Sequence, residues 1–126
     1  MDQTIFINDN EIELKSRDHL ISVIDDFLMD NYSEVWIKGQ GESSLCVMTN
    51  PSSAFLMYLR HEGDSGFRST NKSGDEDKVE QFKLSNGQAD EYPETWLIKK
   101  EKVRSALLTY FDMGIMDKDI DWTEEN

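Results

Sequence analysis

Residues 61–69 read HEGDSGFRS, and Gly63-Asp64-Ser65-Gly66 spells the tetrapeptide around the nucleophilic serine of trypsin-like proteases. That chemistry needs a base within hydrogen-bond reach of the serine and a third group to orient the base. The chain has two histidines: His61, close to Ser65, and His19, in the first turn of an expected helix. Sequence proximity does not align an imidazole with a hydroxyl, and 126 residues are too few for the two barrels of a trypsin-like fold. The G-x-S-x-G elbow fails as well, because Phe67 stands where its second glycine belongs. Serine hydrolysis through Ser65 is therefore the weakest reading, and the stretch reads better as a turn-rich loop.

Metal chemistry is little better supported. One cysteine and two distant histidines match no zinc spacing. Asp117-x-Asp119-x-Asp121 resembles the start of a calcium loop, but Trp122 replaces the required sixth-position glycine and the chain ends before the twelfth-position Glu. No phosphate loop or dinucleotide fingerprint is present, and no cofactor is expected. Cys46 lies in an apolar run and reads as core.

Charge is the strongest bulk signal. Twenty-six acidic residues against thirteen basic ones give a net charge of −13. Such a field repels phosphate backbones and anionic lipid headgroups, so neither nucleic acid nor membrane is an expected partner. A basic protein would be attracted and captured faster. Acidity also aids solubility without any partner. No apolar run reaches membrane-spanning length, the N-terminus has no secretory pattern, and the lone cysteine forms no internal disulfide. These features favour the cytoplasm.

The elements that must position these groups follow from periodicity. TIFINDNEIEL (4–14) reads as a hairpin around Asn8-Asp9-Asn10. Leu20, Val23, Ile24, Phe27 and Leu28 give residues 18–30 an apolar helical face, capped by Ser16 or Asp18. EVWIKG (34–39), SLCVMT (44–49) and SAFLMYLR (53–60) read as strands, the first two joined by the turn Gly39-Gln40-Gly41-Glu42. Residues 61–78 read as a long surface loop. VEQFKLS (79–85) alternates as a half-buried strand does, and Asn86-Gly87 supplies positive φ angles for a tight turn. Val103, Ala106, Leu107, Tyr110 and Phe111 form the stripe of a second helix stopped by Gly114. Ile120 and Trp122 suggest a short docked strand in the tail. The expected fold is α+β in a single pair of layers: a mostly antiparallel sheet with two main helices on one face.

The C-terminal half then takes a familiar order. Gly63-x-x-Gly66-Phe67 precedes the strand VEQFKL, then Asn86-Gly87-Gln88-Ala89-Asp90-Glu91-Tyr92-Pro93, a helix ending in Tyr110-Phe111, Gly114, and Ile120-Asp121-Trp122. This resembles the Imm-one family of immunity proteins from bacterial polymorphic toxin and contact-dependent inhibition systems, associated with nucleic-acid deaminase toxins among others. Two prolines frequent in that family are missing, one in the stretch IMDKDID and one before the last helix, where Ile98-Lys99-Lys100 stands.

The resemblance implies one immunity domain over residues 1–126, without catalytic activity, that binds a basic, nucleic-acid-acting toxin domain and blocks it. Gly63, Gly66, Phe67, Asn86, Gly87, Pro93 and Trp122 would be its structural motif positions. Candidate toxin contacts are Asp75, Glu76 and Asp77 with Glu80; Asp90 and Glu91; Asp117, Asp119 and Asp121; and Asp64 and Arg68 in the glycine loop. Tyr92 and Phe67 are candidate aromatic anchors, or pin their loops to the body. An acidic regulatory or calcium-responsive module is the alternative, and the oligomeric state stays open.

Overall fold

The structure, a computed structural model, describes residues 3–39 and 41–125. Gln40 of the expected turn lies outside the described residues. Strands β1 (Gln3–Ile7) and β2 (Asn10–Leu14) form the expected hairpin. Asn8 and Asp9 close it with φ of 49° and 69°. Asn and Asp are the non-glycine residues that best tolerate this region, and two in succession match the twist of a tight hairpin. Helix α1 (Arg17–Phe27) starts where Ser16 Oγ accepts the His19 N–H at 3.1 Å, and it buries Leu20, Val23, Ile24 and Phe27.

Three further strands follow: β3 (Ser33–Lys38), β4 (Ser44–Thr49) and β5 (Ala54–Leu59). The segment expected to be one long loop contains another, β6 (Phe67–Thr70). Its inward residue is a serine, so hydrophobic alternation did not announce it. Fully buried Ser69 donates its hydroxyl to the Trp96 carbonyl at 2.7 Å and accepts the Leu56 N–H at 2.9 Å. A buried hydroxyl satisfied on both sides costs little and fixes the strand.

Strands β7 (Val79–Lys83) and β8 (Ala89–Pro93) form a second hairpin. Only Gly87 takes positive φ in its turn, at 89°, rather than both Asn86 and Gly87 as expected. Asn86 contributes its side chain instead, accepting the Gln88 N–H at 2.8 Å. A single 3-10 turn (Glu94–Trp96) leads to α2 (Glu101–Met113), which buries Val103, Ala106, Leu107 and Tyr110 and ends at Gly114, φ 70°. The tail docks as β9 (Asp121–Glu124).

The main sheet runs β2-β1-β3-β4-β5-β6-β9, with every neighbouring pair antiparallel. The fold is α+β. Both helices pack on one face, over Ile5, Val35, Ile37, Leu45, Val47 and Leu56. The opposite face carries a third layer that the sequence did not place. There β7–β8 and the 3-10 turn cover Cys46, Met48 and Phe55 with Phe82, Tyr92, Trp96 and Leu97. Phe55 stands 4.4 Å from Tyr92 and 5.3 Å from Phe82, centroid to centroid. All six positions of β4 are buried, with the helices over one face and the third layer over Cys46 and Met48 on the other.

Candidate functional site

The glycine loop between β5 and β6 is held by a charge clamp. Arg60 donates its backbone N–H and Nε to Asp64 Oδ2 at 2.9 and 2.8 Å, and Nη2 to Oδ1 at 2.9 Å. These bonds hold the Asp64 carboxyl well below the usual carboxylate range. A Cβ on Gly66, where φ is 76°, would sit 2.5 Å from Leu59 Cδ2 and 2.6 Å from the Tyr58 carbonyl oxygen, so only glycine fits. Phe67 begins β6 with the Arg60 guanidinium 5.1 Å from its ring centre. His61 Nδ1 lies 2.9 Å from the Glu62 carbonyl oxygen. Asp64 is thus bound to Arg60, and the His61 ring to the Glu62 carbonyl, rather than to each other.

Several candidate contacts have partners within the chain. Arg68 ion-pairs with Glu125, and its guanidinium lies 4.8 Å from the Trp96 ring centre. Asp117 is buried. Its Oδ2 accepts from Ser105 Oγ at 2.6 Å, its Oδ1 accepts the Asp119 N–H at 3.0 Å, and its carbonyl accepts Trp122 Nε1 at 2.9 Å. Asp117 and Trp122 therefore tie the tail strand to α2. Among the described residues, no three His, Cys, Asp or Glu side chains gather in a way that could hold a metal ion.

The hairpin sorts its own candidates by strand alternation. Phe82 points into the core, so Glu80 and the cross-strand partners Asp90 and Tyr92 lean the same way. Glu80 accepts Asn50 Nδ2 at 3.0 Å and Ser52 Oγ at 3.2 Å. Asp90 accepts Gln88 Nε2 at 3.2 Å and the Tyr92 hydroxyl at 3.3 Å. Burial first and the nearby Asp90 charge second raise the Tyr92 phenol above its ordinary range. Tyr92 is a packed core aromatic, and Pro93 ends β8 opposite Val79. Glu91 points outward and is exposed, as are Asp75, Glu76, Asp77, Asp119 and Asp121. Those six carry no ion pair among the described residues. Asp119 and Asp121 border a cleft of about 510 Å³, where they and Glu80 and Glu94 stand among Lys72, Lys99 and Lys102.

A second cleft, of about 490 Å³, went unnoticed in the sequence. Phe6, Trp36 and Leu59 line it, with Asp9, Glu42 and Glu62 also on its walls. The three apolar residues come from three strands far apart in the chain. The available signal was alternation: Phe6 and Trp36 neighbour the core residues Ile5, Val35 and Ile37, so they must face away from the helices. Glu34 steadies this region, accepting the Ser85 N–H at 2.9 Å and Trp36 Nε1 at 3.1 Å. Partial burial pushes its carboxyl up, yet these donors outweigh it and the net shift is downward.

With the glycine loop, the NG hairpin and the Trp122 anchor in place, the family model of Immunity protein Imm1 matches residues 8–124. The chain belongs to the Imm1 immunity protein family. As an Imm1 protein it has an immunity role, which implies a cognate toxin as its partner. The match covers nearly the whole chain, including β2 and α1. Comparison with proteins of curated function gives no significant match. Among the described residues, no helix is long and apolar enough to cross a membrane.

Proposed function

We propose that this protein is a single-domain cytoplasmic antidote, without catalytic activity, that neutralises a bacterial toxin domain acting on nucleic acid, a deaminase or a nuclease. It does so by placing an acidic surface over the toxin's basic active-site cleft. The observation that carries the mechanism is charge: a net −13 with exposed, unpaired carboxylates on Asp75, Glu76, Asp77, Glu91, Asp119 and Asp121. An enzyme that grips a phosphate backbone needs a basic cleft. Carboxylates can occupy that cleft in place of phosphates. Opposite fields speed encounter, and buried contacts slow release. For an antidote, capture must precede damage.

The test is co-expression with its cognate toxin domain, sought in the neighbouring reading frames. Rescue of growth is expected, with a one-to-one complex whose association rate falls steeply as salt rises. Failure to rescue, or association indifferent to salt, overturns the reading.

A further inference from the structure

The face of the main sheet opposite the helices is only half covered. The β7–β8 hairpin seals Cys46, Met48 and Phe55, while Phe6, Trp36 and Leu59 line an open cleft beyond it. Phe6 and Trp36 are direct cross-strand partners, and Leu59 pairs with Ser44, itself opposite Lys38 on β3. Two adjoining rows of sheet residues thus present an aromatic pair and an aliphatic side chain together. Asp9, from the first hairpin turn, and Glu42 and Glu62, from the loops after β3 and β5, surround this floor and are exposed. Lys38 is the one cation among the described lining residues, and its ammonium sits 5.5 Å from the Phe6 ring centre.

An apolar centre inside a charged rim is the anatomy of a binding hot spot. We infer that this cleft is the toxin-docking surface, and that it takes a basic loop of the toxin bearing an apolar or aromatic anchor; the inference rests on the antidote reading above. Charge selects this occupant. A second copy of the chain would bring an identical acidic rim and an overall −13 against the first. Nucleic acid and anionic lipid are repelled in the same way. A basic toxin meets the rim with its cations and fills the floor with its anchor. The exposed carboxylates of the hairpin and tail then act at longer range, steering the encounter.

The experiment measures binding of the cognate toxin domain, in catalytically inactive form, to the full chain and to three variants. Glu42→Lys with Glu62→Lys reverses the rim on exposed loops. Phe6→Ala removes part of the floor. Asp75→Lys with Asp77→Lys reverses charge in the loop before β7, outside the cleft lining. Circular dichroism and thermal unfolding establish that each variant is folded. The floor variant is expected to weaken the complex by about thirtyfold or more, mostly through faster release, and the rim variant by as much through slower association together with faster release. The Asp75/Asp77 variant is expected to slow association with little change in release. Should Phe6→Ala not fold, the rim variant alone decides. If the rim variant binds like wild type, the cleft is not the docking surface, and faster release by the Asp75/Asp77 variant would place it at the loop before β7, although the antidote reading stands. If the unaltered chain does not bind the toxin, both fall. A dimer of the free chain that buries this cleft also overturns the inference.

Discussion

Asp117→Ala separates a structural carboxylate from a partner contact. The residue is 5 % exposed and accepts two hydrogen bonds through its carboxylate, from Ser105 Oγ and the Asp119 N–H. Hydrogen bonds to a charged group contribute about 1.5–3 kcal/mol each. The Asp119 N–H belongs to an exposed residue and can turn to water, so its bond is discounted. Ser105 loses a short bond, but it too is exposed and its hydroxyl can turn to water, and the Ala leaves a small void. The net loss is about 1–2 kcal/mol, roughly 5 °C in Tm for a chain of this size. Urea unfolding gives the free energy, and native-state hydrogen exchange locates it. The amides of β9, whose Trp122 hangs from the Asp117 carbonyl, should lose protection first. Affinity for the toxin should stay within twofold at temperatures where the variant is folded. A stability loss below about 0.5 kcal/mol accompanied by weaker toxin binding would refute the assignment, because that is how an exposed contact behaves.

Three further outcomes are expected. Gly66→Ala should destabilise by about 2 kcal/mol or more, from positive φ and collision with the Tyr58 carbonyl, whereas Gly63→Ala, which faces open space, should cost about 1 kcal/mol; equal urea midpoints for the two would contradict this. Asp64 has a folded pKa below its unfolded value, so its contribution is present above about pH 4 and fades as pH falls through the folded value. The stability gap between wild type and Asp64→Asn should therefore be largest near neutrality and shrink in acid, and a gap that widens in acid would reverse the sign argued here. Burial, aided by the Glu34 charge, pushes the Cys46 thiol far up, so a disulfide reagent should label it only after unfolding; rapid labelling of the native protein would show that the second core is open.

Most elements were legible because each carries a local signal. The Asn8-Asp9 turn, the Ser16 cap, the stripes of the two helices and the Gly114 stop are encoded within a few residues. What was not legible depends on distant partners. Strand β6 hides because its buried position is Ser69, satisfied by Leu56 and Trp96. Asp64, Arg68 and Asp117 look like free charges until Arg60, Glu125 and Ser105 fold beside them. The open cleft needs Phe6, Trp36 and Leu59 side by side, which only the sheet order supplies.

That sheet order has a further consequence at its margins. An open sheet ends in two strands whose outer N–H and C=O groups invite pairing with another chain. Here those margins are β2 and β9. The first carries Glu11 and Glu13 and the second Asp121 and Glu124. A like strand brought alongside either margin sets carboxylate against carboxylate before the backbone can pair. Like charge at both margins thus opposes growth of the seven-stranded sheet by edge addition of a second copy.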